Sequence, residues 1–368
     1  MDLKAVTEGV RILQARFTAV WLPGRVILTV AIPGIRTVNE LDYHLRTRDA
    51  EYRERIAALE RAAESDPADY KDLGLVPGFI ELVQSAGLAK VKAIAADVHA
   101  NGYAIVPDLL SAEQVIRVRN ALAPIFAECE RMYRTTGPTA KQTIHMQNVL
   151  AKSRAADEVA TAPLLRAVVA AVLSQDFILN AGVVAMAPDP GCDRQQLHQD
   201  DGFFRLVPRP HMPLVLTVAV ALDDFHRTNG STQIVPGSQL WTAERKPTDD
   251  EVVYAEMPAG AMLLWDGALF HGGGGNATTS PRRTLTLNYT RGWLRTQFNQ
   301  YLSIPRDTVL KLPAELQTDL GYHRSMTGLG SCEGEDPLKY LGKLRDAGGD
   351  GAQTEIGLES RIRAQTAA

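Results

Sequence analysis

The sequence predicts a mainly β protein, a sandwich or barrel with helical extensions at both ends, and three observations predict it. From "DFILNAGVVAMAPDPG" (176–191) onward the chain breaks into short apolar or alternating runs: "LVLTVAVALDD", "STQIVPGS", "EVVYAEMPAG", "AMLLWDG" and "RTLTLNYTRGW". Each is bounded by Gly, Pro, Asn or Asp, the punctuation of strands joined by turns. On either side of this stretch the texture turns helical or irregular, and many short strands in one block fold as two packed sheets or a closed one.

Taken in order, residues 39–63 are rich in Arg, Glu and Ala, and Tyr52, Ile56, Leu59 and Ala63 recur at helical spacing, as do Phe79, Ile80, Leu82 and Val83 further on. The first ninety residues are therefore expected to be mainly helical, packed on the main domain. Next comes "NGYAIVPDLLSAEQVIRVRNAL", a strand near Tyr103 to Val106, then Ser111 and Gln114 at the spacing of a capping box for a helix towards Tyr133. The β-rich block follows, and after Trp293 helical or irregular segments return. Three regions result: a helical N-terminal extension over 1–90, a β-domain over 91–305, and a C-terminal cap over 306–368 ending in a mobile tail.

The formal charge of −4 over 368 residues is spread without acidic or basic blocks, which argues against nucleic acid and anionic membranes as partners. "VILTVAI" is far shorter than a membrane span, which needs about 20 apolar residues. The three cysteines, Cys129, Cys192 and Cys332, form no CxxC pair. A soluble cytoplasmic protein is the expectation.

Chemistry concentrates in two places. "QLHQDDGFF" sets His198 and Asp200 two residues apart in a region read as strand, where such spacing aims both side chains at one point. "LLWDGALFHGGGGNATTSPRRTLTLNYT" places His271 after another strand. Two histidines and one carboxylate are the facial triad of non-haem Fe(II) oxygenases, which leaves three of six metal positions open. Zinc favours closed tetrahedral sets or three ligands plus water, and magnesium favours oxygen.

Arg282 opens a strand in which Thr284, Thr286 and Asn288 share its face, so its planar fork looks inward and suits a carboxylate, with an interior or surface salt bridge as the competing reading. Asp201 is expected to point away from Asp200 as a solvated or structural carboxylate, His211 and His226 to lie near turns without a partner at ligand spacing, and His145 to be a core or surface histidine, with a pocket residue as the alternative. Phe203, Phe204, Trp265 and Trp293 are expected to be core or cavity wall. The run Gly272 to Gly275, lacking the Lys and helix of a phosphate-binding loop, is assigned to tight turning.

The motifs "GYAIVPDLLSAEQV", "HQDDGFF", "DDFHRTNGSTQIVPGSQLW", "LFHGGGGN" and "SPRRTLTLNY" follow one another as in the phytanoyl-CoA dioxygenase family of Fe(II)/2-oxoglutarate oxygenases, which the chain resembles over residues 99–302. The resemblance implies a double-stranded β-helix, the cupin-like jelly roll, with His198, Asp200 and His271 as catalytic iron ligands. It implies Arg282 and Thr232 as partners of 2-oxoglutarate, with Gln147 a further contact, and O₂ as the second cosubstrate. The implied reaction is hydroxylation of an unactivated C–H bond with release of succinate and CO₂; desaturation, epimerisation and cyclisation use the same ligand set. Asp200 argues against chlorination, since related halogenases carry a small residue there. Several relatives have a hydroxyl two residues after the second histidine, where this chain has Gly273. The alternatives are a cupin-like metal-dependent isomerase or hydrolase and a non-catalytic jelly-roll binding protein.

Overall fold

A computed structural model describes residues 16–22, 25–31, 40–136 and 142–346. The strands are β1 (Arg16–Leu22), β2 (Arg25–Ala31), β3 (Tyr103–Val106), β4 (Thr143–Met146), β5 (Phe177–Pro188), β6 (Val215–Ala221), β7 (Thr232–Ile234), β8 (Val253–Ala255), β9 (Met262–Asp266), β10 (His271–Gly273) and β11 (Thr284–Arg291). The principal helices are α1 (Glu40–Glu64), α2 (Phe79–Ala86), α3 (Leu88–Asn101), α4 (Ala112–Thr136), α5 (Pro163–Val172), α6 (Ala314–Asp319) and α7 (Pro337–Asp346). No helix among the described residues is long and apolar enough to cross a membrane.

Two antiparallel sheets make the core, a six-stranded one in the order β3-β9-β6-β11-β5-β4 and a three-stranded one in the order β10-β7-β8. They are the two layers of a double-stranded β-helix. The period of two explains why the central strands read as unbroken apolar runs. On β6, Leu216, Val218 and Val220 enter the large core shared with α2, α3 and α5, while Ala219 and Ala221 enter the smaller core between the sheets. On β9, Met262 and Leu264 face the helices, and Leu263 and Trp265 face inward. On β11, Leu285, Leu287 and Tyr289 take the helical side, and Thr284, Thr286 and Asn288 take the other. Both faces of β6 and β9 are covered, so these strands read as apolar runs, whereas β11 alternates because its inner face is the polar cavity wall.

The sequence expectations hold in part. Ser111 and Gln114 form the reciprocal cap of α4, with the Ser111 N–H donating to Gln114 Oε1 at 2.9 Å and the Gln114 N–H donating to Ser111 Oγ at 3.2 Å. The N-terminal extension is not helical throughout, because β1 and β2 pair as an antiparallel hairpin in register from Arg16↔Ala31 to Leu22↔Arg25. Its β-branched run "RVILTVA" suits a strand better than a helix. No structural break falls at residue 90 either, since α3 runs through that position and leads directly into β3. The segment from 347 onward, expected to be a mobile tail, lies outside the described residues.

Helix α1 ties the extension to the β-domain. Arg48, 1% exposed, donates from Nη2 to Asp266 Oδ2 at 2.6 Å and from Nη1 to the His211 carbonyl at 2.8 Å. Glu51 pairs with Arg291 at 2.8 Å, and Arg55 Nε donates to the Ala171 carbonyl at 2.9 Å. Two of these contacts land on the ends of strands β9 and β11, which carry cavity residues.

Candidate metal centre

His198 and His271 lie opposite one another because their backbones form an isolated antiparallel bridge. The His198 N–H donates to the His271 carbonyl at 2.8 Å, and the His271 N–H donates back at 3.0 Å. Asp200 is not on a strand. The chain turns immediately after His198, with the Asp201 N–H donating to the Gly267 carbonyl at 3.2 Å and residues 202–204 forming one 3₁₀ turn. Extended backbone at 198 followed by that turn, rather than strand alternation, brings the carboxylate under the two rings.

The ligand atoms of the three residues lie within 4.8 Å of one another. Asp200 Oδ1 is 3.4 Å from His271 Nε2 and 3.8 Å from His198 Nε2. Each ring's other nitrogen faces a carbonyl two residues back: His198 Nδ1 to Gln196 O and His271 Nδ1 to Leu269 O, both at 3.0 Å. A carbonyl only accepts, so Nδ1 carries the proton and the Nε2 lone pair is free to coordinate. Burial lowers the His198 proton affinity, and the neighbouring His271 lowers it further. Burial also works against protonation of His271, but the Asp200 carboxylate outweighs it and leaves that ring raised. Burial alone would lift the Asp200 carboxyl; His271, the Thr217 hydroxyl and His198 together hold it well below the usual range. Metal coordination needs both rings neutral beside an ionised carboxylate, so an ion must take the place of the proton that Asp200 favours on His271.

The triad sits at one wall of a cavity of about 240 Å³ between the sheets. Arg282 lines the same cavity. It is 5% exposed, lies 3.7 Å from the Phe225 ring centroid, and donates from Nη2 to the Gly230 carbonyl at 2.6 Å. Gly230 sits at φ +90°, and a Cβ there would lie 3.1 Å from both the Gly274 carbonyl and Pro188, so only glycine presents this carbonyl without strain. Arg282 Nε is buried without a partner. Burial pulls the guanidinium down to about 9, with Asp223 only partly offsetting it. An orphaned buried N–H and an under-compensated cation mark a place for an anionic group. The donor set thus fits iron, and Arg282, lining the same cavity, is free to pair with a carboxylate.

Thr232 and Gln147 also line the cavity, and so does His145, for which a pocket position was the alternative reading. Asp201 is buried against Arg209, with His211 Nε2 at 3.3 Å, and both acid and histidine are structural. Phe203 is 66% exposed and Trp293 43%, so neither is core. The four glycines do not serve left-handed turning, since none has positive φ. They let β10 and the residues after it pass between two other backbones: an added Cβ would meet Gln196 O at 3.2 Å from Gly272 and Ser231 O at 2.5 Å from Gly274.

Gln195 and Thr217 escaped the sequence reading, and Trp265 was read only as core or cavity wall. The Gln195 N–H donates to the Gly273 carbonyl and its side-chain oxygen accepts the Gly273 N–H, both at 2.8 Å, and a Cβ at Gly273 would lie 3.2 Å from its carboxamide. It therefore fills the space that a side chain at position 273 would take. Thr217 Oγ1 and Trp265 Nε1 both donate to Asp200 Oδ2, at 2.5 and 3.2 Å. The signal for Thr217 was a single hydroxyl inside "LVLTVAVAL"; Gln195 had none.

Comparison with known proteins agrees with this geometry. The family model described as Phytanoyl-CoA dioxygenase (PhyH) matches residues 98–284. "Dioxygenase swnH1" of Metarhizium robertsii is 28% identical over 291 residues, covering 72% of this chain and 93% of its own length. "Dioxygenase trt7" of Aspergillus terreus is 33% identical over 189 residues, covering 49% and 65%. Among solved structures, EctD from S. alaskensis with bound Fe is 20% identical at a TM-score of 0.46, covering 55% of this chain and 77% of that one. The family match spans just over half of the sequence, and the chain belongs to the phytanoyl-CoA dioxygenase family.

Proposed function

We propose that this protein is a non-haem Fe(II)- and 2-oxoglutarate-dependent dioxygenase of the cytoplasm that hydroxylates an unactivated C–H bond of a small organic molecule, releasing succinate and CO₂. The observation that carries the reading is the pairing, across one cavity, of a His198–Asp200–His271 cluster with a buried, incompletely partnered Arg282. A metal hydrolase needs the first of these and has no use for the second.

In this reading His198 Nε2, His271 Nε2 and Asp200 Oδ1 hold the metal. Arg282 takes the far carboxylate of 2-oxoglutarate, with Thr232, Gln147 and Gln195 bordering the same compound. Bound iron, with 2-oxoglutarate and O₂, supplies an oxidant able to take hydrogen from an aliphatic carbon. The chain's own contribution is positioning and exclusion of water. Phe225 and the Gly230 carbonyl fix the plane of Arg282, and the apolar walls at Ala181, Val184, Met186 and Phe298 keep the remaining space dry.

The test is succinate formation from 2-oxoglutarate by the full chain under air, with and without added Fe(II). We expect iron-dependent succinate, its loss in His271→Ala, and a 2-oxoglutarate KM raised at least tenfold in Arg282→Leu, since a bidentate charge-assisted contact is lost. Succinate formed at the native rate by His271→Ala would rule the proposal out.

A further inference from the structure

The hydrogen bonds behind Asp200 form an ordered chain that reaches the cavity mouth. The Gln297 backbone N–H donates to Asn180 Oδ1 at 2.7 Å, and Asn180 Nδ2 donates to Asn288 Oδ1 at 2.8 Å. Asn288 Nδ2 donates to Thr217 Oγ1 at 2.6 Å, and the Thr217 hydroxyl donates to Asp200 Oδ2 at 2.5 Å. Asn180, Asn288 and Thr217 are all buried, at 1%, 9% and 3% exposure.

The direction of every link is forced from both ends. A backbone N–H can only donate, so Asn180 must turn its oxygen to Gln297 and its amide nitrogen to Asn288. Asn288 must then show nitrogen to Thr217, whose hydroxyl is left with one proton for an ionised carboxylate that can only accept. Aligned donors polarise one another, so the last bond is stronger than an isolated hydroxyl would give.

A defect in the sheet makes this possible. Asn288 pairs with Gly182 on β5 but Tyr289 pairs with Leu179, so Asn180 and Ala181 form a bulge. Gly182, at φ +72°, absorbs the bend, and a Cβ there would lie 3.1 Å from Gln300 Oε1. Bulges re-aim side chains beside active sites. This one turns Asn180 onto Asn288 and brings Ala181 to the cavity wall beside Gln297 and Phe298.

We propose that Thr217, Asn288 and Asn180 are positioning residues: their one-way chain holds Asp200 Oδ2 away from the metal so that Oδ1 alone ligates, and it links the Gln297–Phe298 wall to the metal's carboxylate ligand. The inference rests on the metal reading above. It assigns these three residues, which do not touch the metal, a share in its affinity and ligand field.

The experiment is anaerobic Co(II) titration of the full chain against a chromophoric chelator, together with the visible absorption spectrum of the bound ion. Thr217→Val keeps the shape and removes the hydroxyl; we expect Co(II) affinity to fall about tenfold or more, with an altered spectrum. Thr217→Ser should restore both. Asn180→Asp still accepts from Gln297 but has no N–H to give, so Asn288 must reverse and draw the Thr217 proton away from Asp200. Affinity should then fall although the added negative charge would, by itself, attract a cation. Native affinity and spectrum in Thr217→Val, or in a folded Asn180→Asp, would overturn the relay while leaving the metal site standing. A native chain that takes up no Co(II) would instead overturn the metal reading and the relay with it.

Discussion

His198 and His271 each give Nδ1 to a carbonyl two residues back, so neither ring must choose a tautomer when a metal arrives. Their proton affinities differ, though: the ring beside Asp200 is raised, and the other is lowered by burial and by its partner. His271 therefore protonates first on acidification, and a protonated ring cannot coordinate. Metal affinity should be flat above the histidine range and fall by about tenfold per pH unit below it, as one proton competes with one ion. Competition titrations of Fe(II) or Zn(II) across that range measure this, and a flat profile down to acidic pH would contradict it. At this scale the sequence was informative where chemistry is local. His198, Asp200 and Arg282 stood out only in combination with His271, since a His-x-Asp pair or a strand arginine by itself has many other uses. Gln195, Trp265 and Thr217 did not, because their roles arise from strands far apart in the chain, and a glutamine, a tryptophan or a threonine in a strand has many structural uses.

Elements carry the site through contacts that no local pattern encodes. Helix α1 has an arginine, Arg48, buried to 1% exposure against Asp266 at the end of β9, and the Asp266 Oδ1 atom also accepts the Ala268 N–H at 3.0 Å. The next turn of chain includes Gly267, whose carbonyl receives the Asp201 N–H one residue from the proposed ligand. Arg48→Met leaves a buried carboxylate without its cation and should cost about 3–5 kcal/mol in chemical denaturation, most of it recovered in the Arg48→Met/Asp266→Leu double variant. A loss under about 1 kcal/mol would show that water already compensates the acid. The strands were legible as runs, since burial on both faces writes an apolar stretch. The β5 bulge and the β1–β2 hairpin were not, because register and pairing depend on the partner strand. The glycine run was read for the wrong property: close backbone approach, rather than positive φ, is what its packing requires.

Across the whole molecule, the two sheets enclose the cavity, and the helices on the outer face of the larger sheet complete its core. The N-terminal extension belongs to that core: Phe79, Ile80 and Val83 of α2 are buried together with Val91, Ile94 and Val98 of α3 and the helix-facing side of β6, β9 and β11. The division at residue 90 rests on the strand and capped helix that begin near Tyr103, and packing crosses it. The sequence resemblance, by contrast, carried over to the fold, because that depends on motif order along one contiguous β-domain; the three proposed ligands cluster, and Arg282 lines the same cavity. The central claim is that one iron ion sits between His198, Asp200 and His271 and faces Arg282 across a bound 2-oxoglutarate. Crystals grown anaerobically with Fe(II) and 2-oxoglutarate, with data collected at the iron absorption edge, test it most directly. We predict a single anomalous peak ligated by the two Nε2 atoms and Asp200 Oδ1, with the distal carboxylate on Arg282. Iron bound elsewhere, or a triad left without metal at saturating Fe(II), would contradict the account.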